Sequence, residues 1–214
     1  MLHRILSLVF ITICLAAPLR ADGEKAGEFD YYVLSLSWSP TWCALEGRSR
    51  NSPQCDADKD FGWVLHGLWP QYERGYPSYC PTARRAPPRS MTAGMEDIMG
   101  APGVAWYQWK KHGTCAGLEA GDYYRLARLA FDRVKKPEVF RKLTRDVRVP
   151  ASVVEEAFIE ANPNLTRDMI TITCKSGRIQ EARVCLTREL EPRRCGGDVI
   201  YDCRAKDALL DAID

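Results

Sequence analysis

The sequence predicts an α+β fold, and three observations carry that prediction. Strand-like and helix-like segments are segregated along the chain instead of alternating as they do in a doubly wound sheet. Two runs rich in aromatic and β-branched residues, FDYYVLSLSW and FGWVLHGLW, stand near the start, and a hairpin pattern stands near the end. Between them lie stretches with apolar residues at spacings of three and four. The 214 residues, 46% hydrophobic and 27% charged, suffice for one domain with its own core. The same figures exclude a disordered or collagen-like chain.

The chain opens on Met1-Leu2-His3-Arg4, an apolar run from Ile5 to Ala17, and Pro18-Leu19-Arg20-Ala21. A short basic start, an apolar run and small residues at the exit form the pattern of a secretory signal peptide, here residues 1–21. The run is shorter than the roughly 20 residues a membrane-spanning helix needs. A single domain is then expected over 22–214, secreted or periplasmic, with no membrane attachment after cleavage. Phe29 to Trp38 reads as a strand ending at Pro40. Phe61 to Trp69, apolar on both faces, reads as a central strand stopped by Pro70. Pro81 to Gly103 holds Pro87-Pro88, Gly94, Gly100 and Pro102 and reads mostly as loop. Val104 to His112 reads as a short helix, with Trp106 and Trp109 on a core-facing stripe. Asp122 is placed to cap a helix with Tyr123, Leu126, Ala127, Ala130, Phe131 and Val134 on its apolar face. Ser152 and Glu155 have capping-box spacing, and Asn162-Pro163 ends the helix they open. Met169 to Lys175 and Arg178 to Leu186, joined by Ser176-Gly177, read as a β-hairpin. The cysteine-dense segment from 174 to 203 reads as a stapled sheet edge.

Removing the leader changes the counts. Of nine Cys, Cys14 is lost and eight remain: Cys43, Cys55, Cys80, Cys115, Cys174, Cys185, Cys195 and Cys203. Of three His, only His66 and His112 remain. The 30 Lys+Arg lose Arg4 and Arg20 and the 28 Asp+Glu lose none, so the mature chain is formally neutral. An even set of cysteines in an exported chain reads as disulfides, with 105 possible pairings and none selected by spacing. The absence of any CxxC pair argues against a zinc ribbon or a thioredoxin-type site. Two histidines are too few for a histidine zinc site, so neither metal nor cofactor is expected. A neutral chain does not bind nucleic acid by bulk charge.

His66 stands in LHGLWP and His112 in WKKHGTC. A lone His in an apolar strand is commonly a satisfied core residue, and one on a short helix can be incidental to a solvated face. Against this, two histidines are the whole mature complement, and imidazole titrates where proton transfer near neutral pH requires. On the helix, Tyr107, Gln108, Lys111 and His112 share one side, being three or four residues apart. A base, a cation and two hydrogen-bonding groups together suit a phosphoryl group developing charge.

HGLWP followed by WKKHGTC resembles the two active-site segments of the ribonuclease T2 family of secreted endoribonucleases. FDYYVLSLSWSPTWC, VVEEAFIEANPNL and the cysteine-rich C-terminus extend the resemblance over nearly the whole mature chain. It implies an antiparallel sheet flanked by helices and metal-independent RNA cleavage to a 2′,3′-cyclic phosphate, then a 3′-phosphate. By the same resemblance His112 is the base acting on the 2′-hydroxyl and His66 the acid protonating the 5′-oxygen. Lys111 stabilises the phosphorane, and Trp69 stacks on a base. Disulfides Cys43–Cys55, Cys80–Cys115, Cys174–Cys203 and Cys185–Cys195 are implied likewise.

The chain departs from the family where His-Glu-Trp commonly precedes the Lys-His pair; here Tyr107-Gln108-Trp109 stands. Gln108 cannot carry a carboxylate's charge but can donate a hydrogen bond to a phosphate oxygen, and Tyr107 can contact phosphate as a phenol. Gln71 follows HGLWP where some members have a base-selecting acid. With no net charge to use, binding of single-stranded RNA falls to local features: Lys110-Lys111, Arg84-Arg85 and Arg89, and the aromatics Trp69, Tyr72, Tyr76 and Tyr79. Tyr76 is the aromatic beyond Trp69 assigned to substrate. The alternative reading is an exported RNase-like protein that binds RNA or a partner without cutting it. A metal-dependent phosphoryl-transfer enzyme lacks an acidic ligand cluster. Nothing in the sequence demands an oligomer, and a monomer is expected.

Overall fold

A computed structural model describes residues 24–213, so the leader expected over 1–21 lies outside the described residues. Six strands, β1 (Tyr31–Trp38), β2 (Trp63–Gln71), β3 (Val147–Val149), β4 (Ile170–Lys175), β5 (Arg178–Leu186) and β6 (Ala208–Leu210), form one sheet. Around them lie α1 (Ser39–Trp42), α2 (Arg89–Ala93), α3 (Glu96–Met99), α4 (Pro102–Lys111), α5 (Ala120–Arg133) and α6 (Ala151–Ala161). The strand order is β2-β1-β5-β6-β3, with β4 also on β5. Every ladder is antiparallel except a single parallel contact, Arg178 with Leu209.

Alternation in β1 divides the molecule. Leu34, Leu36 and Trp38 enter the main core with Ile170 and Ile172 of β4 and Ala182 and Val184 of β5. Tyr123, Ala127 and Ala130 of α5 and Val154 and Phe158 of α6 close over them. Phe158 is fully enclosed, and truncating such a ring costs about 3–5 kcal/mol. Tyr31 and Val33 point to the opposite face, where a smaller cluster includes Cys185 and Val199, with Trp69 packed against it. The hairpin turn is Ser176-Gly177, whose φ angles of 51° and 74° are the paired positive values that a two-residue turn between twisted strands needs.

Several local expectations need correction. β2 runs through Pro70, which pairs with Tyr32; β2 is an edge strand, where a residue without an N–H is tolerated. The expected loop from Pro81 to Gly103 contains α2 and α3, short helices anchored by buried Met95, Ile98 and Met99. Pro102 opens α4 at a first-turn position, two residues before the expected start. Asp122 does not cap α5: the helix starts at Ala120, and Asp122 lies in its first turn, paired with Arg125. Ser152 and Glu155 form no capping box, because Pro150 precedes the helix and Glu155 turns inward to Arg167, 3.3 Å away. Trp109 is buried, but Trp106 is 44% exposed: α4 packs through Ala105 and Trp109, four residues apart, and Trp106 lies about 100° round the helix from Ala105. The chain contains the four disulfides Cys43–Cys55, Cys80–Cys115, Cys174–Cys203 and Cys185–Cys195.

Candidate active site

His66 and Trp69 are three residues apart, so a regular strand would send them to opposite faces of the sheet. β2 avoids this with a bulge. Ser35 pairs with Gly67 and Leu36 with Leu65, which leaves His66 as the extra residue. Leu65 and Leu68 both enter the core, while His66 and Trp69 both line the cavity on the other side. A second bulge lies in the hairpin: Thr173 pairs with Glu181 and Cys174 with Ile179, leaving Gln180 extra. Ile179 and Ala182 consequently share the core, and Glu181 and Arg183 face His66.

Helix α4 runs past the β2 edge, burying Ala105 and Trp109 and turning Tyr107, Gln108 and Lys111 to the cavity, with His112 at its C-terminal end. The cavity, about 550 Å³, is lined by both histidines and by Trp69, Tyr76, Tyr107, Gln108, Lys111, Glu181 and Arg183. All seven predicted catalytic and binding residues therefore meet in one place. Tyr76 and Tyr107 are about half exposed at its rim. Arg84 is instead ion-paired with Glu119, and Arg84, Arg85, Arg89 and Lys110 do not line the cavity. Tyr72 packs against the core, and Tyr79 does not line the cavity but touches its residues, its phenol donating to the Tyr107 hydroxyl at 3.4 Å and its backbone N–H to the Lys111 carbonyl at 2.8 Å.

Trp69 ties the two halves together. Its indole N–H donates to Gln108 Oε1 at 2.7 Å, leaving the Gln108 NH2 as that amide's remaining donor. Its ring stacks on His112, with centroids 5.2 Å apart, and meets His66 edge-on at 5.4 Å. Gly67 makes this possible: a Cβ there would lie 2.3 Å from Gln108 Oε1 and 2.4 Å from Trp69 Nε1.

The two imidazoles have opposite surroundings. His112 is buried, and its Nδ1 has no hydrogen-bond partner. Burial first, then the Lys111 cation and His66, push its pKa down to about 3. A helix C-terminus favours a cation by roughly 0.3–1 kcal/mol. The shift from 6.5 is worth about 5 kcal/mol, so burial decides and His112 is neutral at physiological pH. His66, by contrast, places Nδ1 2.6 Å from Glu181 Oε1. Burial alone would raise the Glu181 carboxyl, but the hydrogen bond and charge of His66, with Arg183, hold it down at about 2. Arg183 donates through Nε and Nη2 to Glu181 Oε2 at 2.9 and 2.7 Å, and its guanidinium lies 5.3 Å from the Trp69 ring centroid. The charged or titratable groups lining the cavity with His66 are Glu181 and Arg183 on β5, Tyr107 and Lys111 on α4, His112 after it, Tyr76 beyond β2, and Asp198; Glu46, Arg50 and Lys175 line an adjoining cavity that His66 also borders.

Glu181 and Arg183 are site-lining residues that the sequence reading does not single out: RIQEARVCL reads only as one arm of a hairpin, and the cavity over β5 is what brings them to His66. Among the described residues no group of three or more His, Cys, Asp or Glu is placed to hold a metal ion.

Fold and site together define a T2-type ribonuclease architecture, and a sequence profile described as Ribonuclease T2 family matches residues 29–195. The chain belongs to the ribonuclease T2 family. It is 45% identical over 112 residues to a ribonuclease of Aeromonas hydrophila, covering 52% of this chain and 49% of that protein. It is 33% identical over 129 residues to a probable ribonuclease of Haemophilus influenzae, covering 55% and 47%. The chain thus spans about half the length of these curated relatives. Among solved structures, an RNase-related protein from Calystegia sepium superposes with a TM-score of 0.64 at 18% identity, covering 87% of this chain and 97% of that one. RNase NT in complex with 5′-AMP gives 0.63 at 18% identity, covering 86% and 98%. At such identities these likenesses bear on the fold.

Proposed function

We propose that this protein is an exported endoribonuclease that cleaves single-stranded RNA by acid–base transphosphorylation, without a metal. The observation that carries the reading is the pairing of unlike imidazoles in one cavity: His112 buried and neutral, His66 against a carboxylate. Such a pair divides the roles of base and acid. His112 takes the proton of the 2′-hydroxyl, the 2′-oxygen bonds to phosphorus, and the P–O5′ bond breaks. His66 gives its proton to the departing 5′-oxygen, leaving a 2′,3′-cyclic phosphate. Hydrolysis to the 3′-phosphate reverses the traffic: His66 takes a proton from water and His112 returns one to the 2′-oxygen. Lys111, whose ammonium lies 5.8 Å from the Tyr76 ring centroid, offsets charge on the phosphorane, and Gln108 offers its NH2. Tyr107 contacts phosphate at the rim, and Tyr76 and Trp69 give the base an aromatic surface.

The reading includes export through the leader at residues 1–21 and action as a monomer. No helix among the described residues is long and apolar enough to cross a membrane. The test is incubation of the purified protein with single-stranded RNA in EDTA. Cyclic-phosphate ends are expected from the wild type and not from His66→Ala or His112→Ala. Intact RNA from pH 4 to 8 would refute catalysis and leave an RNA- or partner-binding protein.

A further inference from the structure

We infer that Glu181 is a positioning residue for His66: it fixes the Nδ1–H form of the imidazole, so that the proton passed to the leaving oxygen is the one on Nε2. The inference deepens the ribonuclease reading and rests on it. An ionised carboxylate only accepts hydrogen bonds, so at 2.6 Å the nitrogen facing Glu181 Oε1 must carry hydrogen in both charge states of His66. Nε2 is then the nitrogen left to exchange a proton with substrate, the division of labour by which a carboxylate orients a catalytic imidazole.

A purely structural ion pair between Glu181 and Arg183 would look different. Arg183 could engage both carboxylate oxygens side by side, the stronger bidentate arrangement. Instead, both of its donors converge on Oε2, and Oε1 is turned to His66. Glu181 is 3% exposed, so no water competes freely for that oxygen. The contact also depends on two departures from regular pairing, one making His66 the extra residue of β2 and one immediately before Glu181 in β5. His112, the other imidazole, has no such partner on its Nδ1. The chain thus lacks a carboxylate at Gln108 on the His112 side and has one on the His66 side.

The experiment compares two substrates that differ in leaving group. Glu181→Gln should lower kcat for a dinucleoside phosphate by about 10–100-fold, the weight of one charge-assisted hydrogen bond, with KM little changed. A 4-nitrophenyl ester of a nucleoside 3′-phosphate expels an anion that needs no proton, so there the loss should shrink to about threefold or less. The alkaline limb of the pH–rate profile should move to lower pH. In 15N spectra of the ligand-free protein, neutral His66 should change from the Nδ1–H to the Nε2–H form in Glu181→Ala, which leaves Nδ1 no acceptor, whereas the amide oxygen of Glu181→Gln can still accept from it. Glu181→Asp, which keeps the charge, should restore part of the rate and the original tautomer. Equal losses on both substrates, or an unchanged tautomer in folded Glu181→Ala, would overturn the inference in favour of a structural ion pair. Should the wild type cleave neither substrate, the ribonuclease reading fails, while the nitrogen spectra still decide whether Glu181 holds His66.

Discussion

Replacing Gly67 by Ala tests whether the site is held together across Trp69. The added Cβ would stand 2.3 Å from Gln108 Oε1 and 2.4 Å from Trp69 Nε1, more than 1 Å inside ordinary contact with both. It falls on the two atoms that share the 2.7 Å hydrogen bond between β2 and α4. Neither neighbour can yield cheaply. Gln108 is 2% exposed and cannot swing into solvent, and Trp69 is stacked on His112. The bond, worth about 1 kcal/mol, breaks, and the overlap adds about 1–3 kcal/mol. Lost freedom of the unfolded glycine returns about 0.4–1 kcal/mol. The net expectation is destabilisation by about 1–3 kcal/mol, read as a lower urea midpoint at unchanged slope. Displacement of Trp69 and Gln108 by about 1 Å should lower kcat/KM by about 100-fold. A midpoint shift under about 0.5 kcal/mol, together with kcat/KM within threefold of wild type, would refute the reasoning.

Three further outcomes are expected. His112 is depressed to about 3, so between pH 6.5 and 3 the unfolded chain binds a proton that the folded chain does not. Stability present above pH 6.5 should therefore fall as pH drops through that window, by about 5 kcal/mol in total, and His112→Gln should remove this component; urea titrations at successive pH values check it. Replacing Cys80 and Cys115 together by Ser opens a loop with a separation of 35 and should cost about 4 kcal/mol in a thermal melt. It should also lower activity, because the Tyr79 N–H donates to the Lys111 carbonyl next to that bridge. Gln108→Glu places a carboxylate beside His112 and should raise that imidazole's pKa above its value of about 3. The acid limb of the kcat/KM profile then moves to higher pH, and an unmoved limb would show that position 108 does not sense His112.

The parts of this molecule legible in its sequence are those encoded locally. The Ser176-Gly177 turn between apolar runs gives the hairpin, and three-and-four spacing gives the packed face of α5. HGLWP and WKKHGTC draw attention to His66, Lys111 and His112 through their resemblance to the two family segments, since spacing alone leaves a solvated helix with an incidental His equally open. What escaped is what depends on partners distant in sequence. Strand parity separates His66 from Trp69, and only a bulge set by pairing with Ser35 and Leu36 reunites them. Glu181 looks like an ordinary surface acid until a cavity closes over it. Ser152 and Glu155 have capping spacing, yet the buried Glu155 answers to Arg167, which lies beyond the end of the helix. Trp106 and Trp109 share a stripe in the sequence, yet α4 packs through Ala105 and Trp109 and leaves Trp106 outside.

The disulfides bear on when and where such a molecule becomes competent. Cys185 lies within β5 and Cys174 on its hairpin partner, so Cys185–Cys195 and Cys174–Cys203 brace the strand pair that bears Glu181 and Arg183. Cys80–Cys115 binds the turn just after His112 to the segment beyond β2. In a compartment that keeps thiols reduced, the chain lacks these braces around both imidazoles. On the ribonuclease reading, the newly made polypeptide is then weakest as a nuclease while it is among its producer's own transcripts. Its full rigidity then waits for oxidation of the four cysteine pairs.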